Sequence, residues 1–149
     1  MHHYHQKIRV IFVPMVNPDG VEIALHGINP QLKYHKDIIN HVGITEFTKV
    51  WQANASGVDI NHNFNADWYA LRDYEKNKGI AAPSPRRFGG PYPESEPETK
   101  AITRLCRHLK PDTLYTFHSQ GEEIYYEYGT NTPEKALTMA RALAGVSDY

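Results

Sequence analysis

The chain has 149 residues, 40% of them hydrophobic and 22% charged, which suffices for one globular core, and sixteen Lys and Arg against seventeen Asp and Glu leave a formal net charge of -1. With no basic run along any segment, a nucleic-acid or anionic-membrane partner has no electrostatic support. The single cysteine, Cys106, cannot close an internal disulfide, and no apolar stretch reaches the ~18 residues of a membrane span.

In chain order, the N-terminal histidines at 2, 3 and 5 read as a polar terminus able to bind metal only adventitiously. Lys7 to Met15 (KIRVIFVPM) is apolar and β-branched and predicts a buried strand, and Asn17-Pro18-Asp19-Gly20 after it predicts a tight turn. Because the chain opens almost directly on this strand, earlier elements of the same domain are expected to precede it. Signals from Val21 to Val50 are mixed, with Pro30 as a breaker and a short helix around Tyr34 to His41. A small, polar loop at Ala53 to Gly57 leads through Val58-Asp59-Ile60 into the cluster Asn61-His62-Asn63. Ala81 to Pro97, with five prolines and Gly89-Gly90, predicts a long irregular loop.

Ser95 and Glu98 form a capping-box pattern, and Ala101, Ile102, Leu105, Cys106 and Leu109 recur at helical spacing, so a helix follows. Pro111-Asp112 ends it. Thr113 to Phe117 and Ile124 to Tyr128 predict two further strands, the first placing His118 at its carboxyl end. Thr132-Pro133-Glu134 is a helix start, with Ala136, Leu137, Ala140, Leu143 and Ala144 as the inner face. Alternating strands and helices predict an α/β fold, a mixed, largely parallel sheet with helices on both faces, in one domain spanning residues 1–149.

Chemistry is sparse by spacing alone. None of the nine histidines is followed by the x-x-Glu or Glu-x-x-His that gathers two metal ligands on one helix. Glu122 and Glu123 are adjacent and would face opposite sides of a strand, which disfavours a paired acid and base. Ser119 lacks a Gly-x-Ser-x-Gly elbow, and no phosphate-binding glycine loop occurs. Asn61 and His62 could hold a substrate carboxylate or carbonyl, or could belong to a polar turn that satisfies its own backbone. Tyr125, Tyr126 and Tyr128 read mainly as core, as do Trp51 and Trp68.

Taken in order, Val13-Pro14-Met15-Val16-Asn17-Pro18-Asp19-Gly20, WQANASGVDINHNF at 51–64, FGGPYPESEPE at 88–98 and Phe117-His118-Ser119 resemble the zinc carboxypeptidase family, the carboxypeptidase A-like metallopeptidases. Gly121-Glu122 followed by Ile124-Tyr125 is most similar to the bacterial branch that cleaves γ-D-glutamyl-diamino acid bonds in peptidoglycan peptides. The resemblance implies zinc as cofactor, a peptide or cell-wall peptide as substrate, and His118 as a zinc ligand. It also implies that Asn61 and His62 stand where an Asn-Arg pair holds the substrate carboxylate, and that Gln52 stands where an arginine polarises the scissile carbonyl. Ser119 and Glu122 join Asn61 and His62 as substrate-binding candidates. A histidine in place of the arginine offers one donor instead of a bidentate fork.

The family's His-x-x-Glu is expected before the opening strand and its catalytic glutamate after Tyr149. The chain is therefore expected to be an incomplete zinc-carboxypeptidase-like domain, inactive alone and prone to self-association through exposed edges. The alternative is a non-catalytic peptide-binding module of the same fold.

Overall fold

In the computed structural model, which describes residues 8–31, 50–118 and 121–147, Asn17-Pro18-Asp19-Gly20 starts a helix where a tight turn was expected. Helix α1 covers Pro18–His26. The Asn17 side chain accepts a hydrogen bond from the Gly20 amide at 2.9 Å, and Pro18 occupies a position whose N–H would have no helical partner. The same residues that close a turn thus serve equally as a cap followed by a proline. Gly20 is required by space: a Cβ there would lie 2.2 Å from Asn17 Nδ2 and 2.5 Å from the Ala53 carbonyl. This close approach lets α1 bury Ile23 against Trp51 and Ala53, with Ala24, Ile28 and Ala55 packed around them. Burial of Ile23 alone contributes about 2 kcal/mol.

From Trp51 onward the backbone is ordered mainly by polar side chains. Asn54 Oδ1 accepts from the Ser56 and Val58 amides at 3.0 and 3.1 Å, closing a tight loop that ends in an isolated antiparallel bridge between Ala53 and Asp59. Asp59 then caps a single 3-10 turn, Ile60–His62, by accepting from the Asn61 amide. Its second oxygen accepts from the Arg87 amide at 2.8 Å, fixing the proline-rich loop to this turn.

Helix α2, Trp68–Asn77, buries Trp68, Arg72 and Glu75, one face at spacings of four and three residues. Helix α3, Pro97–Leu109, was expected, and its half-buried face of Ile102, Leu105, Cys106 and Leu109 follows the predicted spacing. Its N-cap is Glu96, not Ser95: no side chain caps the helix, and Ser95 Oγ donates to Glu96 Oε1 instead. Pro97 sets the start.

The expected mixed, largely parallel sheet is not present among the described residues, which hold four α-helices, one 3-10 turn and no strand. Residues 8–15, 113–117 and 124–128 are apolar or aromatic as predicted, but none pairs in a ladder. Phe12 is 84% exposed, Phe117 96% and Tyr125 85%. A β-branched, aromatic composition records fitness for a pleated surface; a strand also needs a neighbour whose amides and carbonyls it can meet, and those segments have none here. Lys7 and the helix anticipated at Tyr34 to His41 lie outside the described residues.

The chain divides into two compact units, up to Lys110 and from Pro111. In the second unit, helix α4, Glu134–Ser147, has the predicted inner face: Ala140 is buried and Ala136, Leu137, Leu143 and Ala144 are half-buried. No helix among the described residues is long and apolar enough to cross a membrane.

Candidate functional site

The residues with most chemical potential in the first unit converge on the 3-10 turn. His62 donates its backbone N–H to the Asp59 carbonyl at 3.0 Å, and its ring Nδ1 lies 2.6 Å from Glu75 Oε1. Glu75 is 1% exposed. Its other oxygen is bound by the Arg72 guanidinium and receives the Gly89 amide at 3.3 Å. Arg72 is itself buried, its guanidinium carbon 4.7 Å from the centre of the Phe88 ring and 5.9 Å from that of Trp68. A carboxylate held in this way, between two cation-forming groups and an amide, has the partners that a buried charge requires.

Gly89 makes the convergence possible. A Cβ there would meet the His62 carbonyl at 2.8 Å and Trp68 Nε1 at 3.1 Å, so only a glycine lets the loop lie against both turn and helix. Its carbonyl accepts from Trp68 Nε1 at 2.7 Å and from Asn63 Nδ2 at 2.9 Å.

The cluster Asn61-His62-Asn63 therefore divides into different roles. Asn63 is fully buried and structural: Nδ2 also reaches Ser95 Oγ at 2.9 Å and the Tyr92 carbonyl at 3.3 Å, while Oδ1 accepts from the Glu96 amide. Asn61 is exposed. His62 lies between these extremes, with 23% of its side chain accessible. Gln52 is exposed, its amide donating to the Pro85 carbonyl at 2.8 Å and its carbonyl accepting from Asn17 Nδ2 at 3.3 Å.

His118 and Glu122 belong to the second unit, where both are exposed and Glu122 has a φ of 49°. Ser119 lies outside the described residues. No group of three or more His, Cys, Asp or Glu side chains able to hold a metal ion occurs among the described residues. The tyrosines that were expected mainly in the core are largely at the surface. The Tyr125 phenol is pushed above its usual range by a hydrogen bond to Glu123, and that of Tyr126 by one to Glu127.

Arg72 and Glu75 were missed by pattern reading. The α2 face they share with Trp68 is a helical stripe, but two of its three buried residues are charged, and a search for apolar periodicity passes over it. The signal was the Arg/Glu pair three residues apart beside a tryptophan one turn earlier.

Residues 1–147 match the family model described as zinc carboxypeptidase. The chain is 35% identical over 144 residues to the uncharacterized protein YqgT of Bacillus subtilis (strain 168), a match covering 91% of this chain and 35% of the relative. It is 35% identical over 147 residues to γ-D-glutamyl-L-diamino acid endopeptidase 1 of Lysinibacillus sphaericus, covering 97% and 36%. Human mast cell carboxypeptidase A is 35% identical over 91 residues, covering 54% and 20%. No solved structure matches. The chain thus spans about a third of the length of the two bacterial relatives. With a family match running over nearly every residue, the chain belongs to the zinc carboxypeptidase family.

Proposed function

We propose that this chain is part of a zinc-dependent metallocarboxypeptidase that hydrolyses peptide bonds, with γ-D-glutamyl-diamino acid bonds of peptidoglycan peptides as the preferred substrate class. Asn61 and His62 hold the substrate's carboxylate, Ser119 and Glu122 contact the peptide, Gln52 donates one hydrogen bond to the scissile carbonyl, and His118 ligates zinc. The observation that supports this best is the 3-10 turn. It presents Asn61 at the surface and His62 beside it, both on a backbone fixed by Asp59 and Asn63. A rigid turn with an amide and an imidazole side by side suits recognition of a carboxylate. The substrate class follows the activity for which the Lysinibacillus sphaericus relative is named.

The described residues do not fit zinc on their own, since His118 does not belong to a group of three possible ligands among them. The chain alone is accordingly read as inactive, with self-association through its exposed apolar segments. The second reading, a peptide-binding module without turnover, is favoured by this incomplete ligand set and by histidine at the arginine position.

Chelator competition on the chain and on His118→Ala, with His2, His3 and His5 replaced in both, tests the assignment. Weak zinc binding that His118→Ala weakens further agrees with one ligand acting without partners. Tight stoichiometric binding that survives His118→Ala removes His118 from the site. Tight binding abolished by His118→Ala shows a complete site and overturns inactivity.

A further inference from the structure

We propose that Glu75 is the positioning residue of His62, holding the ring with its proton on Nδ1 and leaving Nε2 as the atom that meets the ligand. The inference rests on the reading of Asn61 and His62 as the carboxylate-holding pair and adds to it a residue from helix α2 that touches no substrate.

Three observations carry it. Nδ1 is 2.6 Å from Glu75 Oε1, a distance suited to a charge-assisted hydrogen bond. Glu75 cannot turn away, because Arg72 and the Gly89 amide hold its other oxygen and the residue is almost wholly buried. Nε2 has no hydrogen-bond partner among the described residues, on a side chain that remains partly accessible. A carboxylate acceptor at one ring nitrogen fixes the tautomer and the orientation of the ring. Held by Glu75 and Arg72, the ring offers Nε2 as an acceptor while it is neutral and as an oriented N–H donor for an anionic group once it is protonated. The arginine expected there would have supplied that donor alone. Arg72 balances the carboxylate, so the triad is neutral before the imidazole is protonated and carries one positive charge after it.

Glu75→Gln separates positioning from simple packing. The introduced amide is best placed with its oxygen toward Arg72 and the Gly89 amide, which turns its NH₂ group toward His62. The ring must then accept at Nδ1 and carry its proton on Nε2, the opposite tautomer.

The test is nitrogen-15 NMR of the His62 ring in the full chain, assigned by loss of the signal in His62→Gln. It is recorded at about pH 8.5, roughly two units above the ordinary imidazole pKa. The unmodified chain is expected to show the Nδ1–H tautomer and Glu75→Gln the Nε2–H tautomer. An Nε2–H tautomer in the unmodified chain overturns the proposal, as does a Glu75→Gln ring that keeps its proton on Nδ1. Should Glu75→Gln fail to fold, the unmodified chain still decides.

Binding of an N-acetylated dipeptide with a free carboxylate, against its C-terminal amide, is measured separately at about pH 5.5, roughly one unit below the ordinary imidazole pKa. Glu75→Gln is expected to weaken binding of the acid about tenfold, because the neutral side chain no longer stabilises the protonated ring that donates from Nε2–H, and to leave binding of the amide unchanged. If the unmodified chain does not prefer the acid, the carboxylate-holding reading fails, and Glu75 stands or falls on the tautomer alone.

Discussion

Two parts of this chain lack regular structure for opposite reasons. Between Ala53 and Asn63, and in the loop from Pro85 to Glu96 that packs on it, buried Asn54, Asp59 and Asn63 take the place of a ladder. Their side chains accept from five backbone amides and donate to the Gly89 and Tyr92 carbonyls. From Ile8 to Val16, and in residues 113–117 and 124–128, most residues are apolar or aromatic and most remain exposed. Asparagine and aspartate carry their own hydrogen-bonding groups to nearby backbone, so a segment rich in them can complete its order locally. A run such as IRVIFV has nothing to offer except a surface, and its order depends on whatever surface it meets.

This contrast is sharpest at Asn63. Asn63→Ala strands the Glu96 amide and removes one bond each from the Ser95 hydroxyl and the Gly89 and Tyr92 carbonyls, which keep one other partner, and is expected to cost about 3 kcal/mol in denaturant unfolding. A cost below ~1 kcal/mol would mean that water replaces the side chain, and the loop would not be held as described. Asn17→Ala, which removes the cap of α1 and the exposed bond from Nδ2 to the Gln52 carbonyl, is expected to cost about 1 kcal/mol in the same measurement.

At the other end of the range, Phe117→Ser is expected to change stability by less than ~0.5 kcal/mol, because the ring is 96% exposed. The same substitution is expected to lower the proposed self-association, with light scattering as the measurement. A loss of ~2 kcal/mol or more on Phe117→Ser would show that the ring is covered in solution, and would break the comparison outright.

How far the sequence discloses this molecule follows the same line. The faces of α3 and α4 were legible because Ile102, Leu105 and Leu109, or Leu137, Ala140 and Leu143, repeat at a helical period and need only their own helix to do so. The start of α1 was misread because Asn-Pro-Asp-Gly serves turn and cap alike. The sheet was inferred from segments whose pairing is non-local, a property that composition does not encode. In the candidate site, Asn61 and His62 stood out as a polar cluster, and the resemblance supplied their proposed roles. Glu75, thirteen residues from its partner, could be found only once the turn and helix were placed against each other.

The double engagement of Glu75 constrains how this site can change. One carboxylate serves His62 on one oxygen and Arg72 on the other. A single His62→Arg exchange, toward the residue that the family resemblance leads one to expect, would put two guanidinium groups in competition for it. The effect of any change at position 62 therefore depends on positions 72 and 75, and a route from one residue type to the other passes through helix α2. The three positions form an epistatic unit, and grafting an Asn-Arg pair onto this turn without altering α2 would introduce a cation with no vacant counter-ion.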